Sequence, residues 1–286
     1  MNTATSGITA GLLLDEYPYI RIGSGPRPLL IIPGAEVNNA EPGFLTRQTL
    51  GAAFRRFTAD HTVYIVHRKR GLPTGYSTAD MAADYARVLG AITPNGETAH
   101  VIGFSTGGLI AQHLAAQAPE RIEKLALVVT GVRLSPEGRH LVEQWRALAQ
   151  ARRWTELTTA MSEVLITGET SKRLLRGFMR LFGGLLVSPP EHPEDFIVTM
   201  DADLAHDTRA LLTTLRMPTL VLAGGLDPFF SVPLLQETAG LIPNARLVIY
   251  EGAGHGLTKT HKRRFEDDVL AFLNPAITPV AAPATE

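Results

Sequence analysis

Residues 100–117 read HVIGFSTGGLIAQHLAAQ, and this stretch decides the fold. Five residues of a buried strand, His100–Phe104, run without a spacer into a helix that begins near Thr106 and continues to about Gln117. Between them lies Gly103-Phe104-Ser105-Thr106-Gly107-Gly108, a Gly-x-Ser-x-Gly pattern in a strand-turn-helix setting. The chain must reverse sharply while presenting the Ser105 hydroxyl at the C-terminal edge of a sheet. Side chains at 103 and 107 would collide with neighbouring elements, so glycine stands there, and strain is expected in the Ser105 backbone.

Outward from this turn, apolar runs alternate with helical patterns. Strands are predicted at 19–22, 29–32, 62–66 and 125–129, and helices at about 44–57 and 78–92. The strands are continuous apolar runs rather than alternating ones, as expected when both faces of a parallel sheet are covered. From about residue 134 the rhythm is helical only, with helices predicted at 136–151, 155–165, 171–186 and near 194–205. Strands return at 219–223 and 246–250, with helices at 232–239 and 263–273. The division is a sheet domain over 1–133 and 207–275, a helical insertion over 134–206, and a tail over 276–286 that is rich in Pro and Ala and expected to be disordered.

Composition narrows the function classes. Among 286 residues, Lys and Arg total 27 and Asp and Glu 28, a net charge of -1 with no basic excess for nucleic acid. Cysteine is absent, which removes disulfides, thiolate metal sites and a Cys nucleophile together. No histidine spacing suits a metal, and neither a leader nor a membrane span is expected, so the chain reads by default as soluble and cytoplasmic. Oligomeric state is open, a homodimer included.

A serine hydroxyl needs a base, and the base needs an orienting acid. The best base is His255, in Glu251-Gly252-Ala253-Gly254-His255-Gly256 after the last strand. The best acid is Asp227, in Gly224-Gly225-Leu226-Asp227-Pro228, which also follows an apolar strand and so lies at the same sheet edge as Ser105. The chain order Ser105, Asp227, His255 is the nucleophile-acid-base order of one fold.

On these motifs, over roughly residues 18–273, the sequence resembles the α/β-hydrolase superfamily. The resemblance implies a mostly parallel eight-stranded sheet with helices on both faces, and a helical cap at 134–206. It also implies an oxyanion hole from the N–H groups of Thr106, at a helix N-terminus, and Ala35, after the strand 28–32. Relatives usually carry His-Gly before that second donor. Here Pro33-Gly34-Ala35-Glu36 stands instead, and Pro33 cannot supply the hydrogen bonds by which the histidine side chain braces this loop. Glu36 sets a carboxylate near a site meant for negative charge. A surface salt bridge is its plainer reading; contact with a polar substrate group or help in proton transfer are the others.

His67-Arg68-Lys69-Arg70 should lie near the rim, a solvated loop by default or a means of steering anionic substrates. It departs from the Asp-x-Arg-Gly turn of many relatives, keeping only Arg70-Gly71. Trp145, Trp154 and Phe178 are candidates to line an apolar acyl pocket, with packing inside the cap as the equal alternative. The 171–186 helix puts Arg173, Arg176 and Arg180 on one face and Leu174, Leu175, Phe178 and Leu181 on the other; packing on the core is expected, with an interfacial lid as the alternative. The expectation is a serine hydrolase of small carboxylic esters, lactones or related acyl compounds, with no cofactor. Alternatives are carbon–carbon bond hydrolysis, cofactor-free perhydrolysis or haloperoxidation on the same triad, and a non-catalytic ligand receptor or lipid-interface protein of the same fold.

Overall fold

A computed structural model describes residues 7–274; the tail expected beyond 275 lies outside them. Eight strands form one sheet: β1 (Ile8–Leu13), β2 (Tyr17–Ile22), β3 (Arg27–Ile32), β4 (His61–Val66), β5 (Ala99–Phe104), β6 (Ile122–Val128), β7 (Thr219–Gly224) and β8 (Ala245–Tyr250). Their order is β1-β2-β4-β3-β5-β6-β7-β8. β1 pairs antiparallel with β2, and β2 with β4; all other pairs are parallel. The sheet is the mostly parallel one expected.

Alternation along each strand divides the core in two. Leu30 and Ile32 of β3, with Val101 of β5, pack on one face. That face is covered by α2 (Thr78–Ile92), α3 (Thr106–Gln117) and α9 (Val232–Leu241). Leu29 and Ile31, with Ile102, pack on the other, against α1 (Phe44–Phe54) and α11 (Lys262–Leu273). Both faces are covered, so apolar residues are required at consecutive positions.

Local chemistry sets several boundaries. α2 starts at Thr78 because Ser77 and Asp80 form a capping box. The 44–57 helix is shorter than expected: α1 ends at Phe54 and a 3-10 turn takes Arg55–Ala59. β1 has no counterpart in the sequence reading. It is a half-buried edge strand, and its turn is closed by Glu16 N–H donating to the Leu13 carbonyl at 3.1 Å. Leu14 and Asp15 sit there at φ 53° and 59°, left-handed positions usually marked by Gly or Asn.

Between β6 and β7 lie α4 (Pro136–Gln150), α5 (Trp154–Glu163), α6 (Glu169–Leu186) and α7 (Pro193–Ala205), then the short α8 (Arg209–Leu212). α4 and α7 pack on each other and into the main core through Val142, Trp145, Phe196 and Met200. α6 differs from expectation. It buries Met179 and Gly183, the latter against Thr155 of α5, while Leu174, Phe178, Leu181 and Leu185 are exposed. Only the edge of its apolar arc at Met179 and Gly183 is covered. Another short helix, α10 (Leu257–Thr260), precedes α11. No helix among the described residues is long and apolar enough to cross a membrane.

Candidate active site

The strained turn is present. Ser105 sits at φ 51°, ψ −122°, between the end of β5 and the start of α3. A Cβ on Gly103 would come within 2.6 Å of the Gly107 carbonyl oxygen, and one on Gly107 would fall onto the Ile32 carbonyl. Only glycine lets β5, α3 and the end of β3 meet this closely.

The three side chains singled out at separate strand ends meet in one line. The Ser105 hydroxyl lies 3.0 Å from His255 Nε2, and His255 Nδ1 lies 2.7 Å from Asp227 Oδ2. The Asp227 side chain is fully buried, and its other oxygen accepts the Phe229 N–H at 2.9 Å. A carboxylate so held fixes both the position of the imidazole and the tautomer carrying a proton on Nδ1. The Phe229 ring packs on the His255 ring at 4.6 Å between centroids. The loops themselves are tightly fitted, since a Cβ on Gly224 would strike Ala253 and one on Gly256 would strike Leu165.

On the opposite side of Ser105 lies the loop after β3. Gly34 approaches closely: a Cβ there would stand 3.3 Å from Ser105 Cβ. Ala35 follows, lining the same cavity as Ser105. Thr106 begins α3, so its N–H has no acceptor within the helix. Its hydroxyl donates to Asp203 Oδ2 of α7 at 2.5 Å. Burial pushes the Asp203 carboxyl up to about 7, against the opposing pull of that hydrogen bond and of the Arg68 charge. No sequence signal marked Asp203, which lies 97 residues from Thr106.

Glu36 does form ion pairs, but at the cavity wall and with the buried His67 and Arg68 rather than with a surface partner. It lines the cavity, and His67 Nδ1 lies 2.9 Å from each of its carboxylate oxygens. Burial raises the Glu36 carboxyl, but the charge and hydrogen bond of His67 and the charge of Arg68 outweigh it, holding the group below the usual carboxylate range. The 67–70 segment is not a solvated loop. His67 and Arg68 are buried; Lys69 is partly exposed and pairs with Asp84 at 3.0 Å, and Arg70, the most exposed of the four, pairs with Glu191. The buried Arg68 donates to the carbonyls of Pro33 at 3.3 Å and Gly34 at 2.9 Å.

The cavity that opens on Ser105 and His255 has a volume of about 970 Å³. Its walls are mostly apolar: Leu50 and Phe54 of α1, Met161 of α5, Leu165 and Phe265. Of the three aromatic residues expected to line it, Trp145 does. Trp154 starts α5 with its ring turned into the core, and Phe178 is half exposed against Phe182. The linings from α1 and the 164–165 link depend on how distant elements dock, which no local pattern encodes. Lys259 and Lys262 stand at the exposed margin. Among the described residues no cluster of His, Asp or Glu could hold a metal ion.

Comparison with known proteins agrees with this architecture. The model of a family described as the alpha/beta hydrolase family matches residues 24–267. Over 263 residues the chain is 31% identical to the polyketide synthase ThaQ of Burkholderia thailandensis, covering 90% of this chain and 12% of that protein. It therefore spans about an eighth of that relative's length. It is 25% identical to a pimeloyl-[acyl-carrier protein] methyl ester esterase of Vibrio parahaemolyticus over 87% of this chain and 95% of the other. Among solved structures, the enol-lactonase of Burkholderia xenovorans is similar in fold, with a TM-score of 0.71 at 20% identity, covering 90% of this chain and 96% of that one.

Proposed function

The chain is an enzyme of the α/β-hydrolase family, and we propose that it hydrolyses carboxylic esters or related acyl compounds through an acyl-enzyme on Ser105. One observation carries this reading: the unbroken hydrogen-bonded line from Asp227 through His255 to Ser105, at 2.7 and 3.0 Å, opening into a large apolar cavity. A non-catalytic receptor of this fold has little need of that line.

The steps follow from the geometry. The acyl chain of the substrate lies in the cavity with its carbonyl carbon at Ser105. Ser105 Oγ forms a bond to that carbon as its proton passes to His255 Nε2. Asp227 stabilises the resulting imidazolium through Nδ1. The carbonyl oxygen takes up negative charge facing the N–H groups of Ala35 and Thr106, the latter at a helix N-terminus whose dipole favours an anion. When the intermediate collapses, the carbon–oxygen bond to the alcohol breaks and His255 returns the proton to the departing alkoxide. Water then attacks the acyl-enzyme with His255 again taking a proton. Ser105 is released with its proton restored, and the carboxylic acid leaves.

Residues 134–206 act as a cap in this reading. Met161 and the Val164–Leu165 link roof the cavity, so that the cap rather than the sheet sets the acyl length accepted. The methyl ester esterase activity named for the Vibrio relative fits an ester substrate, and the cavity volume fits an acyl group longer than acetyl. Turnover of p-nitrophenyl acetate, hexanoate and decanoate by wild type and Ser105→Ala tests the proposal. Wild type is expected to prefer the longer esters and Ser105→Ala to lose activity on all of them. Folded wild type with no turnover of any, or an active Ser105→Ala, would overturn it.

A further inference from the structure

Arg68 is among the largest fully buried side chains of the molecule, 2% exposed as a whole residue, although it lies only two residues beyond the end of β4. A guanidinium taken out of water is costly unless its donors are met. Two of them are met by the loop after β3: Nη1 donates to the Pro33 carbonyl at 3.3 Å and Nη2 to the Gly34 carbonyl at 2.9 Å. The same guanidinium stands 3.8 Å from Glu36 Oε2. Two donors of one rigid fork thus grip successive carbonyls, and their charge faces the carboxylate two residues further on.

The gripped segment has little means of holding itself. Pro33 has no N–H and no side-chain donor, and Gly34 is the residue type with the widest backbone freedom. Gly34 nevertheless has to lie against Ser105, and the next N–H, that of Ala35, has to point at the reacting carbonyl. Small errors are expensive there, since displacement by about 1 Å can cost about 100-fold in rate. Glu36 adds a second demand, because its negative charge stands beside the place where the transition state builds another.

We propose that Arg68 is the positioning residue of the oxyanion loop: by bridging the Pro33 and Gly34 carbonyls it fixes the Ala35 N–H, and with His67 it offsets the Glu36 carboxylate. The proposal rests on the reading of Ser105 as the nucleophile. Lysine cannot replace it, because a single ammonium does not span two carbonyls in a fixed geometry.

The test is the rate at which a fluorophosphonate labels Ser105, measured alongside kcat and KM on p-nitrophenyl hexanoate. In labelling, Oγ bonds to phosphorus, fluoride departs with the P–F electron pair, His255 takes the proton, and the phosphoryl oxygen occupies the oxyanion position. Arg68→Met is expected to label about 10- to 100-fold more slowly than wild type, with kcat falling and KM little changed. Arg68→Lys, which keeps the charge, is expected to lose most of that rate as well. Added guanidinium is expected to recover part of it in Arg68→Ala and none in Ser105→Ala. Folded Arg68→Met labelling at the wild-type rate would overturn the proposal. Should Arg68→Met fail to fold, a folded Arg68→Lys at the wild-type rate would overturn it equally, and a slowed one would support it. Wild type that takes no label would sink the serine reading itself, and this inference with it; labelled wild type and an unslowed variant would sink the inference alone.

Discussion

The two sides of Ser105 are built differently. Toward β7 and β8 three side chains make a single line of hydrogen bonds, each carried by its own strand-end loop and each loop locked by glycines packed against backbone. Toward β3 and β4 stands a buried cluster drawn from four segments, in which His67 pairs with Glu36, Thr106 with Asp203, and Arg68 holds the Gly34 carbonyl beside Glu36. In the proposed mechanism the first side moves a proton, and a break in its line should stop the chemistry. The second side, on the same proposal, holds a shape and balances charge, so damage there should be graded. A site of this kind combines an all-or-none arm with an adjustable one.

Breaking the proton line should give the largest effects. Ser105→Ala or His255→Ala is expected to lower kcat by roughly 10⁴-fold or more, and the double variant to cost little beyond either single one, because the residues act as a unit. Steady-state kinetics on one ester checks both points. Asp227→Asn keeps the shape but favours the wrong tautomer of His255, and about a 10⁴-fold fall in kcat with KM nearly constant is expected.

The cluster side should answer more gently, and with a pH signature. Asp203 has its folded pKa at about 7, above the value of about 3.9 for an unfolded chain. Between those values the folded protein keeps a proton that the unfolded chain has released, so stability falls as pH rises through this window. Asp203→Asn removes the titration while its side-chain oxygen can still accept from Thr106. Its melting temperature relative to wild type is expected to climb from pH 4 to pH 8, as read by thermal unfolding at several pH values. A constant difference across that range would show that Asp203 is not held neutral by burial. The smallest effect is expected far from both sides: Leu185, 88% exposed on α6, should change stability by no more than about 0.5 kcal/mol when replaced by Ser.

The same division governed what the sequence disclosed. Ser105, Asp227 and His255 each follow an apolar strand at a glycine-marked turn, so local pattern alone puts them at one sheet edge. α2 and α3 begin and end where the pattern says, the first because Ser77 and Asp80 cap it within one turn. Arg68 reads as one of several charges in a loop; its burial depends on carbonyls 34 and 35 residues away. Glu36 reads as a surface charge for the same reason, its partner His67 lying 31 residues on. α6 shows an apolar arc in sequence, but which part of it is covered depends on the approach of Gly183 to Thr155 of α5, not on periodicity. β1 escaped because a half-buried edge strand lacks a continuous apolar run, and its turn uses Leu14 and Asp15 where glycine would have signalled it.

In the proposed mechanism Ser105 is a nucleophile activated by His255. Intact-mass measurement after fluorophosphonate treatment, followed by peptide mapping, tests it most directly. One adduct per chain is expected on wild type, located on Ser105 and absent from Ser105→Ala. A folded wild type that stays unlabelled, or an adduct that persists in Ser105→Ala, would contradict it.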